Sequence, residues 1–324
     1  MLEGRHVLVA VGAKPAELDL EGREHLVTSE QFLELDVLPP RVLFVGGGYI
    51  SFEFGHIAAR AGAKVTVVHH GQRPLNAFDP NLVDLLVARS TALGVDVRLG
   101  TRVTRIRKAG TVFTVHTESE GTTLQLDAEM VVHGSGRVPE IDDLHLDAAG
   151  VTWGRHGVTV NDYLQSVSNP AVYAAGDAAA SGAPRLTPVA GYDGRIVSPT
   201  SSRRRAGRRQ TSRRCQASCS QSHHLASVGL LESVARERGP AFDVHRGDTA
   251  SWYSPRRVGE THSGFMVLVE KSSGRILGAR ALGPHADDAI KIFAMAMRTG
   301  ATAASLKEML FAYPTAGSAI PYMV

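Results

Sequence analysis

The stretch GGGYIS at positions 46–51 has the residue types and spacing best suited to chemistry, because it fits G-x-G-x-x-G with a serine last. Between a buried strand and a helix, such a turn holds the diphosphate of a dinucleotide. Gly46 allows the tight turn, Gly48 lets the backbone approach the phosphates, and Ser51 is small enough for the helix to pack on the strand. The helix N-terminus adds N–H groups and partial positive charge. The motif therefore predicts a dinucleotide site.

The elements on either side of this turn have the order that such a site needs. Apolar residues at 42–45 follow two prolines and predict a short buried strand. A helix is predicted from Ile50 to Ala61, and a second strand from Lys64 to Val68. A glycine-rich connector in an ordinary α/β protein is the alternative. The position of the turn inside one βαβ unit favours the dinucleotide site.

The end of the second strand bears on which dinucleotide binds. In NAD-binding proteins an acid at this point accepts a hydrogen bond from the ribose 2′-hydroxyl. Here the strand runs into His69 and His70, and no acid follows before Asp79. A carboxylate would repel a 2′-phosphate, whereas His70 and Arg73 are able to pair with one. The pattern favours NADPH, with NADH as the alternative if both histidines are merely solvated.

Length and composition set the outer limits. A chain of 324 residues that is 43% hydrophobic is expected to form more than one domain. No stretch approaches the roughly 20 apolar residues of a membrane span, and no basic-then-apolar leader opens the sequence. We therefore expect no membrane partner and a cytoplasmic location.

The segment Pro199–His224 differs in composition from the rest of the chain. It contains seven arginines, six serines, both cysteines and no acid, so the remaining chain is mildly acidic and has no nucleic-acid bias. One interpretation is a basic arm. Another is a metal site from Cys215, Cys219, His223 and His224, although the spacing fits no standard zinc pattern. We favour a local reading-frame shift, in which case there is no metal site and the C-terminal sheet lacks its first strand.

Four separate blocks of the sequence resemble one family, and they occur in that family's order. The blocks are HVLVAVGAKP (6–15), GGGYISFEFG (46–55), VVHGSGRVPE (131–140) and VYAAGDAAASGAPRLTPVAGYDGRIV (172–197). They are similar to motifs of the pyridine nucleotide-disulfide oxidoreductases, flavoproteins that include glutathione reductase, mercuric reductase and dihydrolipoamide dehydrogenase. Residues 225–232 and 274–315 resemble the family's dimerisation domain.

The resemblance implies an α/β fold with FAD/NAD(P)-binding Rossmann-like three-layer domains and a C-terminal α+β dimerisation domain. The implied parts are a remnant of the first FAD-binding half with a linker (1–36), an NAD(P)H-binding domain (37–139), a second FAD-binding half (140–198), the anomalous segment (199–224) and the dimerisation domain (225–324). Strand-like stretches at 96–108, 111–119 and 122–134 predict a β-meander with a closing strand in the second part. A homodimer through 225–324 is expected.

The resemblance also assigns residues to the flavin. Asp177, directly after Gly176, corresponds to the acid that accepts a hydrogen bond from a ribityl hydroxyl, although by itself it could simply cap a helix. Thr187 corresponds to a position beside the flavin. Gly12 belongs to a turn similar to the family's A-T-G-x-x-P, with Val11 in place of threonine.

Other matched positions concern the nicotinamide nucleotide. Tyr49 and Ile50 belong to a block that resembles G-x-G-Y-I-x-x-E, in which the tyrosine covers the nicotinamide pocket. Glu53 corresponds to the glutamate that helps to position the nicotinamide. Gly136 and Arg137 match positions that line the dinucleotide.

The sequence also departs from the family. The family's first G-x-G-x-x-G and its C-x-x-x-x-C redox pair are absent, so we expect a truncation of about a hundred residues and weak FAD binding. Tyr313 replaces the family's interface histidine, and Ser318 stands at the position of its glutamate. Because a tyrosine with a pKa near 10 is a poor proton shuttle, no catalytic residue is assigned.

The function expected from these features is FAD-dependent NAD(P)H oxidation. Hydride passes from NADPH to the flavin, and electrons then pass to a disulfide, a metal ion or another small-molecule acceptor. The alternative is a non-catalytic dinucleotide-binding fragment or a pseudogene product.

Overall fold

The computed structural model describes residues 3–201, 217–219 and 224–324. Its strands are β1 (Val7–Val9), β2 (Ala13–Pro15), β3 (Leu26–Val27), β4 (Arg41–Val45), β5 (Lys64–Val68), β6 (Asp96–Arg98), β7 (Arg102–Ala109), β8 (Val112–Ser119), β9 (Thr122–Ala128), β10 (Met130–His133), β11 (Arg137–Pro139), β12 (Trp153–Gly154), β13 (Gly157–Val158), β14 (Val172–Ala174), β15 (Ala217–Cys219), β16 (His224–Gly229), β17 (Phe242–Asp248), β18 (Gly264–Glu270) and β19 (Ile276–Gly283). Its α-helices are α1 (Ser29–Leu33), α2 (Tyr49–Arg60), α3 (Pro80–Ala92), α4 (Thr187–Ser201), α5 (Glu232–Arg238), α6 (Tyr253–Arg257), α7 (Ala286–Thr299) and α8 (Ala303–Glu308).

The chain divides into two compact units. One unit consists of Met1–Ala16 and Gly136–Ala217, and the other of Glu17–Ser135 and Ser218–Val324. The division of the sequence into five parts is finer than this one, and it stays a prediction.

A parallel five-stranded sheet in the second unit carries the glycine-rich turn. Its strand order is β3-β10-β4-β5-β6, and every pairing in it is parallel. Both faces are covered, so the central strands are continuous apolar runs in which Phe44, Val65 and Val132 are fully buried. The predicted strands 42–45 and 64–68 and the helix between them are confirmed within one residue.

The strand-like stretches predicted between residues 96 and 134 belong to two different sheets. β7, β8 and β9 form the expected antiparallel meander. β6 and β10 instead join the parallel sheet, so the predicted strands 96–108 and 122–134 are each split in two. The breaks fall where the chain changes sheets, at 99–101 and at Glu129.

The C-terminal part of the second unit is an antiparallel sheet in the order β15-β16-β19-β18-β17, with α7 packed on it. Val267, Ala279, Ile290 and Phe293 lie in its core. The expectation that this sheet lacks its first strand is wrong, because β15 lies at its edge beside β16. Edge pairing needs only backbone N–H and C=O groups, so a short segment without large apolar residues is able to supply it. The predicted α/β class with a C-terminal α+β region is confirmed.

The first unit is built from short strands around a small core. β1 pairs parallel with β14, and β2 pairs antiparallel with β11. Val9, Ile141, Val172 and Ala174 are buried between these strands and the turns that join them. Among the described residues of the chain, no helix is both long and apolar enough to cross a bilayer.

Candidate functional site: two cofactor-binding turns

The glycine-rich turn joins β4 to α2 and has the geometry of a diphosphate cradle. Gly46 has a φ of 109°, which is unfavourable for any residue with a side chain. Gly48 is the N-cap of α2 and, having no side chain, makes no side-chain cap hydrogen bond. The first-turn amide groups, at the positive end of a 12-residue helix, are suited to bind an anion.

The backbone at Gly134 explains why this turn needs small residues. A Cβ on Gly46 would lie 2.5 Å from the carbonyl oxygen of Gly134, and a Cβ on Gly48 would lie 2.9 Å from the same atom. On the other side of Gly134, Ser51 is completely buried, and a Cβ on Gly134 would overlap its hydroxyl. The Gly134 amide also donates a hydrogen bond to Val45, with N···O 2.8 Å. The turn therefore packs against Gly134, which lies 83 to 88 residues further along the chain.

A cavity of about 260 Å³ opens beside the turn, at the carboxyl ends of β4 and β5. Its walls include Gly46, His70, Arg102, Ser135 and Asp19. The carboxyl edge of a parallel sheet is where such folds bind nucleotides, so this cavity is the candidate for the adenosine end.

The two predicted phosphate ligands lie in different surroundings. His70 is exposed and lines the cavity. Arg73 does not line it, because its guanidinium forms two hydrogen bonds with the Asp84 carboxylate at 3.0 and 3.1 Å. This pairing raises the pKa of Arg73 above its ordinary value.

Arg102 is a basic residue of the cavity wall that the sequence did not identify as a candidate phosphate ligand. It is exposed, it lines the cavity with His70, and no hydrogen bond or ion pair joins its guanidinium to another described residue. Arg102 begins β7, far along the chain from the turn, so no local motif marks it.

The residues predicted to contact the nicotinamide follow the turn on α2. Tyr49 is the first residue of the helix and is 45% exposed, and Ile50 is half-buried beside it. Glu53 is half-buried one turn further on, at the i+4 position relative to Tyr49, so both lie on one face of α2.

The flavin-type turn in the first unit follows β14. Gly176 has a φ of 62°, and Asp177 is half-buried. No described residue forms a hydrogen bond or an ion pair with the Asp177 carboxylate, and Asp177 does not cap the short helical turn that contains it. The side chain therefore offers an acceptor to a ligand. Sequence reasoning missed Asp193, which is fully buried and accepts a hydrogen bond from the Gly176 amide at 3.0 Å.

The remaining predicted residues of the first unit surround the β2–β11 pair. Gly12, with a φ of 75°, accepts a hydrogen bond from the Glu140 amide. Gly136, with a φ of 105°, accepts one from the Ala16 amide. Arg137 donates to the Ala13 carbonyl. Thr187 is exposed at the first position of α4, so a helix N-terminus also occurs in this unit.

Tyr313 and the residues of the alternative metal-site interpretation are the last positions from the sequence analysis. Tyr313 is 76% exposed, contacts the Tyr253 ring at 5.8 Å, and lines an apolar cavity of about 380 Å³ with it. Cys215 and His223 lie outside the described residues. Nδ1 of His224 lies 2.7 Å from a carboxylate oxygen of Asp287, and the part of the chain that the structure describes has no cluster of three metal-binding side chains.

Comparison with known proteins shows which family the chain matches. A model of pyridine nucleotide-disulphide oxidoreductases matches residues 1–194, and a model of that family's dimerisation domain matches residues 217–324. Members of the family depend on FAD and use NAD(P)H as electron donor.

Individual relatives agree with the family models. Mercuric reductase of Staphylococcus aureus is 29% identical over 319 residues, which are 97% of this chain and 57% of the relative. Glutathione reductase of Burkholderia cepacia is 30% identical over 318 residues, which are 97% of this chain and 69% of the relative. The chain thus spans little more than half the length of that mercuric reductase.

A solved structure shows the same similarity in three dimensions. The HOCl-induced flavoprotein disulfide reductase RclA from Escherichia coli superimposes with a TM-score of 0.88 at 26% identity, over 99% of this chain and 73% of that one. Since the first family model alone matches more than half of its residues, the chain belongs to the pyridine nucleotide-disulphide oxidoreductase family.

Proposed function

We propose that this protein is an FAD-dependent NAD(P)H oxidoreductase that passes electrons from NADPH, through the flavin, to a disulfide, a metal ion or another acceptor. The observation that carries the proposal is the closure of the glycine-rich turn around Gly134, at the N-terminus of α2 and beside the cavity at the carboxyl edge of the sheet. The packing fixes backbone amides where a diphosphate needs them before any ligand arrives.

The bound cofactors supply the redox chemistry, namely hydride donation by the nicotinamide and acceptance of two electrons by the flavin. The chain's own residues bind and orient these groups. Amides at the start of α2 would hold the diphosphate, Tyr49 would cover the nicotinamide pocket, and Glu53 would position the ring. In the other unit, the Asp177 carboxylate, which pairs with no other described residue, would accept a hydrogen bond from a ribityl hydroxyl.

The preference for NADPH over NADH rests on His70 and Arg102. Both line the cavity, and the Arg102 guanidinium, which pairs with no other described residue, is suited to pair with a 2′-phosphate. Arg73 is less suited, because Asp84 already occupies its guanidinium. Asp19 lines the same cavity and would oppose a phosphate placed beside it, so the two nucleotides have to be compared directly.

Isothermal titration calorimetry with NADPH and NADH tests the dinucleotide site. Gly48→Val should lower the affinity for both nucleotides at least tenfold, because its side chain meets the Gly134 carbonyl. Gly55→Ala is the matched control, since a Cβ at Gly55 on the same helix meets its nearest neighbour at an ordinary 3.5 Å. If Gly48→Val binds both nucleotides as well as Gly55→Ala does, the site is elsewhere.

A second measurement separates the enzyme from the non-catalytic alternative. We expect the chain to oxidise NADPH in the presence of added FAD and an artificial electron acceptor, followed at 340 nm. A chain that binds NADPH but neither binds FAD nor oxidises the nucleotide would favour the non-catalytic dinucleotide-binding fragment. Homodimerisation through the C-terminal region belongs to the proposal because that region matches the family's dimerisation domain, and sedimentation velocity tests it. The cytoplasmic location stays a prediction.

A further inference from the structure

A buried imidazole connects the glycine-rich turn to the loop that follows β5. His69 is 8% exposed, its Nδ1 lies 3.1 Å from the Gly47 amide nitrogen, and its Nε2 lies 3.1 Å from the Arg73 carbonyl oxygen. A backbone N–H donates only and a carbonyl accepts only, so the geometry fixes the protonation of the ring. His69 is neutral, with its proton on Nε2.

The ring also fills the space between the turn and the loop. A Cβ on Gly47 would lie 2.7 Å from Cγ of His69, and a Cβ on Gly71 would lie 2.9 Å from its Nε2. The backbone adds one direct link, because the Leu75 amide donates to the Gly47 carbonyl at 3.0 Å. The position of the loop relative to the turn therefore depends on the His69 ring together with the Leu75 amide and with Pro74, whose Cβ would lie 2.8 Å from a Cβ on Gly47.

We propose that His69 is a positioning residue of the dinucleotide site. Its neutral ring holds the Gly47 amide and the 70–73 loop in their relative positions, and its protonation releases the turn. The inference rests on the proposed function and extends it to a residue that touches no ligand itself. It assigns separate roles to two adjacent histidines: His70 faces the cavity, and His69 supports the turn.

Acid is expected to break this contact. A proton added at Nδ1 would face the Gly47 N–H, so that two donors would oppose each other and the hydrogen bond would be lost. Burial lowers the pKa of His69 below its ordinary 6.5, and the neighbouring His70 adds to this, whereas the Arg73 carbonyl acts in the opposite direction.

The two arginines whose carbonyl groups bond His69 are themselves paired. The Arg73 guanidinium is held by Asp84, and Arg98, whose carbonyl accepts the His69 amide, is held by Asp96. Because the folded-state pKa is lowered, the contribution of His69 is fully present above pH 6.5. It is lost as pH falls through the lowered pKa.

NAD⁺ binding measured by calorimetry between pH 5 and 8 tests the proposal. NAD⁺ is chosen because it has no 2′-phosphate, a group that itself titrates near pH 6. The affinity of the unaltered chain should fall about fivefold to tenfold toward pH 5. His69→Asn should bind within about threefold of the unaltered chain at pH 7.5 and show a flat profile, since its side-chain oxygen replaces Nδ1 as acceptor and does not titrate. His69→Leu should bind about tenfold more weakly at pH 7.5.

His56→Asn is the control for a general loss of packing. His56 is buried to 3% exposure and bonds the Ser90 hydroxyl, so this variant should lose stability and keep the pH profile of the unaltered chain. Thermal unfolding checks that each variant is folded, and if His69→Leu is not, His69→Asn alone decides. A profile for His69→Asn as steep as that of the unaltered chain overturns the role of His69.

Failure of the proposed function would look different. If the unaltered chain binds no NAD⁺ at any pH, the dinucleotide site is wrong, whatever His69 does. Long-range ¹H–¹⁵N spectra of the ligand-free chain then still report on the imidazole. A proton on Nε2 is expected, and a proton on Nδ1 would overturn the inference.

Discussion

The two candidate cofactor-binding turns follow the same strand-to-helix plan but are stabilised in different ways. The turn at 46–51 is closed by backbone packing against Gly134 and by a buried imidazole, His69. The turn at Gly176 is held by the buried carboxylate of Asp193, and no described residue pairs with the neighbouring Asp177 carboxylate. The first turn offers a ligand main-chain amides, whereas the second offers a charged side chain.

This difference indicates where each turn is vulnerable. A turn fixed by close backbone contact is sensitive to added volume, because packed interiors do not yield by more than a few tenths of an ångström. A turn whose amide is bound by a buried side chain is sensitive to loss of that acceptor, since the N–H would be left unpaired. The neighbouring Asp177, which pairs with no other described residue, is expected to contribute little to folding.

The largest effect is expected from Gly46→Ala. The substitution combines a positive φ with a Cβ 2.5 Å from the Gly134 carbonyl, so we expect a loss of about 3 kcal/mol in the free energy of unfolding. Gly62→Ala is the matched control, because Gly62 has a φ of 94° and no neighbour within 4 Å. It should cost only about 1 kcal/mol in urea unfolding. Equal losses in the two variants would show that backbone closure around Gly134 contributes little.

The next effect concerns the buried acid of the second turn. Asp193→Ala leaves the Gly176 amide without its acceptor and should cost about 2 kcal/mol in urea unfolding. Asp193→Asn keeps an oxygen at that point and should recover at least half of this loss. If the two variants are equally stable, the hydrogen bond to Gly176 does not hold the turn.

A smaller effect on binding, with none on folding, is expected at Asp177. Because no described residue pairs with its carboxylate, Asp177→Ala should change the free energy of unfolding by less than about 0.5 kcal/mol. It should weaken FAD binding about tenfold in a flavin-fluorescence titration, which is the loss expected for one charge-assisted hydrogen bond. The exposed Asp143 provides the control variant, Asp143→Ala. Unchanged FAD affinity for Asp177→Ala would remove this acid from the flavin site.

The smallest predicted effect distinguishes two arginines near the first turn. Arg102→Gln should lower the affinity for NADPH about fivefold and leave the affinity for NADH within about twofold. The reason is that the proposed contact of this side chain is with the 2′-phosphate, which NADH lacks. Arg73→Gln should change the affinities for both nucleotides by similar, smaller factors, since Asp84 binds the Arg73 guanidinium. The opposite ranking in calorimetry would return the phosphate contact to Arg73.

Local patterns predicted the elements of the nucleotide site well. The strands β4 and β5 and the helix between them were located within one residue, because apolar runs, glycine turns and helical spacing are all properties of short windows. The α/β class was implied by the resemblance of the sequence blocks to the family.

The interactions that complete both turns join residues distant in sequence, and no local pattern contains them. Gly134 meets the turn from β10, Arg102 reaches the cavity from β7, and Asp193 reaches back to Gly176 from α4. Arg73 illustrates the same limit, since the sequence shows a cation there but does not show that Asp84 pairs with it. The two histidines lie just beyond the end of β5, where the alternation of a strand no longer assigns them to opposite sides.

The dependence of the first turn on Gly134 has a consequence for protein engineering. Transplanting the hexapeptide 46–51 into another scaffold would move only part of what shapes it, because the opposing wall is supplied by a peptide unit from a different strand. A successful graft has to carry a side-chain-free residue at the equivalent of position 134 as well. Libraries that randomise the hexapeptide while leaving that wall unchanged would mostly recover the starting glycines.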